Sequence, residues 1–304
     1  MVKLGTDTSW QYILEDSTET PTTSVQFRIP GVVVSAPTDS KFNAKEYRGL
    51  KQPTDTDKRR VDLIVPSKNE YPFTVTYIPL KRSSAPKYDF RHFHNLVMNN
   101  SSSTAVGGAW TYGTSLTTAL RTLTLFKETD TIQYRLSGGK VSRLTARCSL
   151  DNPLEITVEG MGSLATYADL ARTDASTLRD GTPFMWSDIS VYLDSALATF
   201  CTAFEYTVNN NAESDHSLGD RDPKGIALKG RTIELSVTRQ FNDTGEFASA
   251  KNGTAKRVTI RLDDATDADI VFRDAKYDGI PNPGENEGIL THILRLKVEE
   301  MSTN

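Results

Sequence analysis

Residues 132–159, IQYRLSGGKVSRLTARCSLDNPLEITVE, decide the fold. The stretch reads as three short strands joined by tight turns, each alternating apolar with polar side chains. In the middle strand Leu144, Ala146, Cys148 and Leu150 fall on one face, with Arg143, Thr145, Arg147 and Ser149 on the other. In the next strand Leu154, Ile156 and Val158 oppose Glu155, Thr157 and Glu159. A three-residue turn at Asp151-Asn152-Pro153 would pair Cys148 with Ile156 and Arg147 with Thr157. Glu155 and Glu159 would then be diagonal neighbours of Arg147. A slip of one residue would turn every apolar side chain to the wrong face, so the register is well specified. The stretch announces a sheet with one buried and one wet surface.

Working outward, the same alternation recurs in both directions. Upstream, Val25, Phe27 and Ile29 alternate, and Val32 to Val34 form a short apolar run. Two further strands carry Val61, Leu63 and Val65, then Phe73, Val75 and Tyr77, with Asn69 near the turn between them. Residues 88–98 fit a short helix, because Phe90, Phe93 and Val97 share a face and Asp89 can cap its start. Residues 99–115 form a Gly/Ser-rich surface loop. Downstream, residues 160–180 connect through one helical turn around 167–172. A hairpin then sets residues 189–193 against 200–208, and 209–225 is a loop. The last strands hold Ile233 to Val237, Val258 to Leu262, Ile270 with Phe272, and Leu290 to Val298. The count of about a dozen strands fits an antiparallel β-sandwich or barrel with one or two short helices. Two polar segments stand apart. Residues 1–23 read as an extended N-terminal arm ahead of a single domain over 24–304, and 35–59 is a loop of the length that is usually functional or disordered.

Composition narrows the function. A chain of 304 residues can bury a substantial core, and a hydrophobic share of 37% suits sheets that are wet on one side. The net charge of −4 argues against a nucleic-acid binder, which needs a local excess of Lys and Arg. Cys148 and Cys201 fit free thiols better than a disulfide, which would require neighbouring strands at bonding distance. No secretory signal and no transmembrane run are expected.

No pattern carries catalysis or a cofactor. His92 and His94 would share a face on a strand but point apart on the expected helix, and nothing nearby completes a metal site. Asp263, Asp264, Asp267 and Asp269, and Asp220 with Asp222, miss the calcium-loop spacing. Ser163 lacks the glycines of a nucleophile elbow. The expectation is no enzyme, no metal and no cofactor.

Several phrases resemble the tail tube proteins of long-tailed bacterial and archaeal viruses. SWQYILEDSTETPTT (9–23) resembles the family's N-terminal opening, with Glu19 where a Gly is usual. YRLSGGKVSRLTARCSLDNPLEITVEGMG (134–162) resembles its Gly-x-Lys-Val hairpin and following strand. FMWSDISVYLD with FEYTVNNN (within 184–211), Leu218-Gly219 and KGRTIELSVTRQF (229–241) resemble its later hairpin and strand. The resemblance implies a β-sandwich subunit forming hexameric rings, stacked into a virion tail tube that conducts DNA to the host and is assembled in the host cytoplasm. Implied partners are other copies of the chain, tail terminator, tape measure and baseplate or tip proteins, with DNA passing unbound and no membrane insertion. Candidate inner-barrel and subunit contacts are Arg143, Thr145, Arg147, Glu155, Thr157, Glu159, Asp188, Asp194 and Glu205. The arm and the 35–59 loop, with Glu15, Glu19, Phe42 and Tyr47, are candidates for bridging rings. An acidic lumen is the family's expectation, because like charge keeps phosphates sliding. Two alternatives stay open. One is a carbohydrate- or receptor-binding module using Trp10, Trp110, Tyr112 and Trp186. The other is the inner tube of a contractile injection or secretion device.

Overall fold

Three antiparallel sheets share bent strands in the computed structural model, which describes residues 9–15, 21–28, 32–35, 41–47, 63–81, 91–98, 110–113, 122–129, 132–168, 181–240, 245–263, 269–279, 284–286 and 289–303. The first sheet runs in the order Val32–Ser35, Leu63–Ile78, Glu155–Gly162, Ile132–Ser149, Cys201–Asn209, Thr232–Gln240, Ile289–Val298. The second runs Ala196–Leu197, Ser190–Leu193, Lys256–Arg261, Asp269–Tyr277, Glu300–Thr303, Trp110–Gly113. The third runs Pro21–Arg28, Ser9–Glu15, Leu123–Thr129, the start of Ile132–Ser149, and Leu164–Ala168. The mainly β class expected from the alternation holds.

The decisive stretch contains two strands, not three. The expected turn at SGGK is a bulge inside the 18-residue strand Ile132–Ser149. Gly138 sits there at φ 64, a conformation glycine adopts without strain, and the strand passes from the third sheet into the first. The next turn also differs from expectation. Arg147 pairs with Glu155, Thr145 with Thr157 and Arg143 with Glu159, two residues away from the anticipated register. The faces survive because two is the period of the strand. The longer loop has a local cause. Leu154 donates its N–H to Phe184 O at 2.8 Å, and Pro153 bridges Met185, so residues 153 and 154 are held by another segment. Leu150, expected inside, is exposed in this loop.

One core joins the layers. The inward residues of the first sheet, among them Val75, Leu144, Ile156, Phe204, Tyr206, Val237 and Leu296, meet Val258, Ile260 and Phe272 of the second sheet. Tyr206 packs edge-on to Phe272 at 5.3 Å. Helix Arg91–Met98 is wedged between sheets, with Phe93 5.3 Å from Tyr12 and 5.5 Å from Tyr77. The carbonyl of Val97 accepts from Asn210 Nδ2 at 2.8 Å and Arg231 Nη2 at 3.1 Å, which satisfies the helix end and places a cation at its negative pole.

Other expectations are corrected. Residues 63–78 form a single strand through Asn69, where two strands with a turn were anticipated. The expected hairpin of 189–193 with 200–208 does not form. Ser190–Leu193 turns at Asp194-Ser195, both at positive φ, onto Ala196–Leu197, whereas Cys201–Asn209 lies in the first sheet. The 209–225 loop holds part of a small hairpin, Ala212–Asp215 with Gly225–Leu228. Leu164–Ala168 and Trp110–Gly113 are strands, and Gly245–Lys251 is a helix that the pattern did not announce. Part of the anticipated arm, Ser9–Glu15, is paired on both sides, and the 35–59 loop contains strand Lys41–Tyr47.

Candidate assembly surface

Alternation in the first sheet sends every second side chain away from the core and lines them up in rows across the strands. One row runs Glu155, Arg147, Glu205, Ser236, Arg295. The next runs Thr76, Thr157, Thr145, Thr207, Glu234, Lys297, and a third runs Thr74, Glu159, Arg143, Asn209, Thr232. The threonines bond sideways: Thr76 Oγ1 to Thr157 Oγ1 at 3.1 Å, and Thr145 Oγ1 to Thr207 Oγ1 at 3.1 Å. Arg147 donates from Nε at 2.9 Å and Nη2 at 2.5 Å to Glu155 Oε1. Such a solvated pair contributes about 0.2–1 kcal/mol. The rows therefore fix register more than they add stability.

The charge of this face is balanced. Glu155, Glu159, Glu205 and Glu234 stand against Arg143, Arg147, Arg295 and Lys297, and the acids and bases occupy alternate groups of strands. Lys297 also pairs with Asp278 at 3.1 Å.

Seven of the anticipated contact residues, Arg143, Thr145, Arg147, Glu155, Thr157, Glu159 and Glu205, are together on this face. Asp188 and Asp194 are elsewhere. Asp188 Oδ2 accepts the N–H of Met185 at 3.0 Å in the short 3-10 turn Trp186–Asp188. Asp194 accepts from Lys256 Nζ at 2.7 Å and the Arg257 N–H at 2.9 Å. Burial would raise its carboxyl, but these bonds outweigh that and hold it below the usual range. Glu15 is fully buried, accepting from Thr124 Oγ1 and, at 3.0 Å, from the Gly138 N–H, so its side chain braces the bulge. Phe42 and Tyr47 pair with Asn69 and Leu63 in the Lys41–Tyr47 ladder, and Glu19 lies outside the described residues. Sequence reasoning missed Thr76, Glu234, Arg295 and Lys297. Their alternation was visible, but nothing in a single chain told which strands would be neighbours.

Several other chemistry-bearing groups among the described residues are engaged internally. His94 Nε2 is 2.7 Å from Tyr206 Oη, and burial pushes that phenol far above its ordinary value. Glu246 bonds His292 Nε2 at 2.5 Å and Arg239 at 3.0 Å, tying helix Gly245–Lys251 to the sheet. Asp263 binds Lys81 at 2.6 Å, and Asp269 holds Arg261 through two bonds at 2.8 and 3.0 Å. Asp264 and Asp267 lie outside the described residues. Among the described residues no group of three His, Cys, Asp or Glu is placed to hold a metal, and no helix is long and apolar enough to cross a membrane. Cys148 and Cys201 are free thiols, pushed up by burial to about 12 and about 11. Trp186 is partly buried against the core.

A sandwich that presents a broad, wet, hydrogen-bonded sheet face offers a surface on which copies could pair, and fold alone does not say what the surface does. The chain belongs to the phage tail tube protein family, whose profile matches residues 9–296. No curated protein matches it. Membership makes it a structural protein of the viral tail that self-associates into a tube.

Proposed function

We propose that the chain forms hexameric rings stacked into the tail tube, with the wet face of the first sheet lining the bore through which DNA is ejected. The observation that carries this reading is the row Thr76, Thr157, Thr145, Thr207, which crosses neighbouring strands as one hydroxyl belt. Ring closure would continue that belt from copy to copy and remove the free edges of the sheet. The balanced charge of the face supports the conduit role in its own way. Arg143 and Arg147 each have a Glu opposite them, and Lys297 has Glu234, so the acids offset the bases along the rows and weaken the hold on passing phosphates. An acidic lining is not a property of this face.

A second feature supports stacking. Residues 63–68 pair, among the described residues, with Lys41–Tyr47 alone. A two-stranded ribbon is marginal in water unless it packs on something else. Docking on an adjacent ring would supply that support, with tail terminator, tape measure and baseplate or tip proteins as further partners of the tube. Electron micrographs of the purified protein at rising concentration test the reading. Sixfold rings that grow into tubes are expected; a monomer at every concentration overturns it.

A further inference from the structure

The two ends of the first sheet carry different apolar features. Strand Cys201–Asn209 spans the wet face from one end to the other. At its start stands Phe200, 62% exposed and held at φ 60. A bulky side chain in the left-handed region is strained, and here the ring gains little contact inside the subunit to offset it. Leu150 donates its N–H to Thr202 O at 2.9 Å, two residues along the chain from Phe200, and the loop of Leu150 reaches Met185 through the Pro153 bridge. Leu150, Met185 and Leu197 are all exposed large apolar side chains.

At the other end, the chain leaves Asn209 for the hairpin Ala212–Asp215 with Gly225–Leu228, and the turn between its arms carries Leu218, 104% exposed. The hairpin is braced. Asp222 Oδ1 accepts from Tyr71 Oη at 2.5 Å and Asn69 Nδ2 at 2.8 Å, and Lys140 Nζ donates to Ile226 O at 3.2 Å. A single leucine in water is ordinary. A leucine on a braced hairpin at one end, with a strained aromatic in an apolar setting at the other, is a matched pair.

We propose that Leu218 of one copy docks against Phe200 and Leu150 of a copy in the next ring, as an apolar axial contact of the tube in addition to the ribbon. The inference rests on the ring-stacking reading above. A polymer built from one chain head to tail needs two different surfaces that complement each other, one at each end. These two ends meet that requirement, and the occupant of each is therefore a second copy of this chain.

The test uses rings of the full chain carrying Leu218→Asp or Phe200→Asp, prepared separately and then mixed. Asp tolerates left-handed φ, and Leu218 contacts solvent, so both variants keep the subunit's melting temperature. Each alone forms rings but raises the concentration needed for tube growth by about tenfold or more, as loss of a central apolar anchor does. Mixed, they form ring pairs and nothing longer, because one intact Leu218 end meets one intact Phe200 end. Phe200→Gly is a second check: it relieves the strained φ, so it holds or raises the melting temperature while still blocking growth. Normal tubes from either single Asp variant overturn the pairing. So does a mixture that stays as single rings while the wild type grows. A wild type that never forms rings overturns the ring reading itself, a different result.

Discussion

Arg147 and Glu155 stand directly opposite each other on adjacent antiparallel strands, and Glu205 faces Arg147 from the other side. The guanidinium is thus flanked by two carboxylates in one row of the wet face. Arg147→Glu would put three acids side by side, a like-charge arrangement that destabilises a sheet row. Because the site is solvated, the subunit should lose only about 1 kcal/mol or less and stay folded. Ring and tube yield should fall, more at low salt than at high. Sedimentation at two salt concentrations, beside a thermal melt, measures both. Tubes formed as readily as by the wild type at low salt would detach this row from assembly.

Gly160 faces Phe73 across the same sheet on the core side. An added Cβ would lie 2.2 Å from Phe73 Cζ and 2.5 Å from the carbonyl oxygen of Lys140. The ring can move only by disturbing packed neighbours, and the backbone oxygen cannot yield. Gly160→Ala should destabilise the subunit by about 1–3 kcal/mol, the usual range for overpacking. A urea titration with unchanged slope and a lower midpoint is the expected result.

Phe93 holds the helix between Tyr12 and Tyr77 and is fully buried. Phe93→Ala should cost about 3–5 kcal/mol, through lost transfer energy and the cavity left behind. A loss below 1 kcal/mol, on this scale, would mean that the helix is not a wedge between the sheets.

The hairpin bearing Leu218 should show a pH dependence with two limits. Hydrogen bonds from Tyr71, then Asn69, hold the Asp222 carboxyl below its usual range. A depressed folded value means that this contribution is full above the unfolded carboxylate value and is lost as pH falls through the folded one. Burial, then the bond to Asp222, raises the Tyr71 phenol to about 12. A raised folded value means that its contribution is full below the unfolded phenol value and is lost as pH rises through about 12. Absorbance titration should find a tyrosine ionising near 12 that moves towards the ordinary value in Asp222→Asn. No change on substitution would remove this brace from the account.

The sequence made the faces legible and left the neighbours hidden. Alternation assigns Arg143, Thr145, Arg147, Glu155, Thr157 and Glu159 to one side whatever the register, because any even shift keeps the side chains where they are. It does not say that Pro153 and Leu154 are captured by residues 184 and 185, which set the register. Gly138-Gly139 reads as a turn locally, and only the continuation of pairing on both sides shows it to be a bulge. Alternation alone groups Asp194 with the residues of this face, whereas the strand before it pairs with Lys256–Arg261 in the other sheet. Glu15 looked like a polar arm residue, and its burial depends on the bulge at Gly138, 123 residues further along the chain.

The most direct test of the central claim is a cryo-electron microscopy map of tubes assembled from the purified chain. The account predicts sixfold rings in which the row Thr76, Thr157, Thr145, Thr207 lines the bore, between the rows of Arg147 and Arg143. A tube whose bore is lined by another sheet, with this face turned outward, would contradict it.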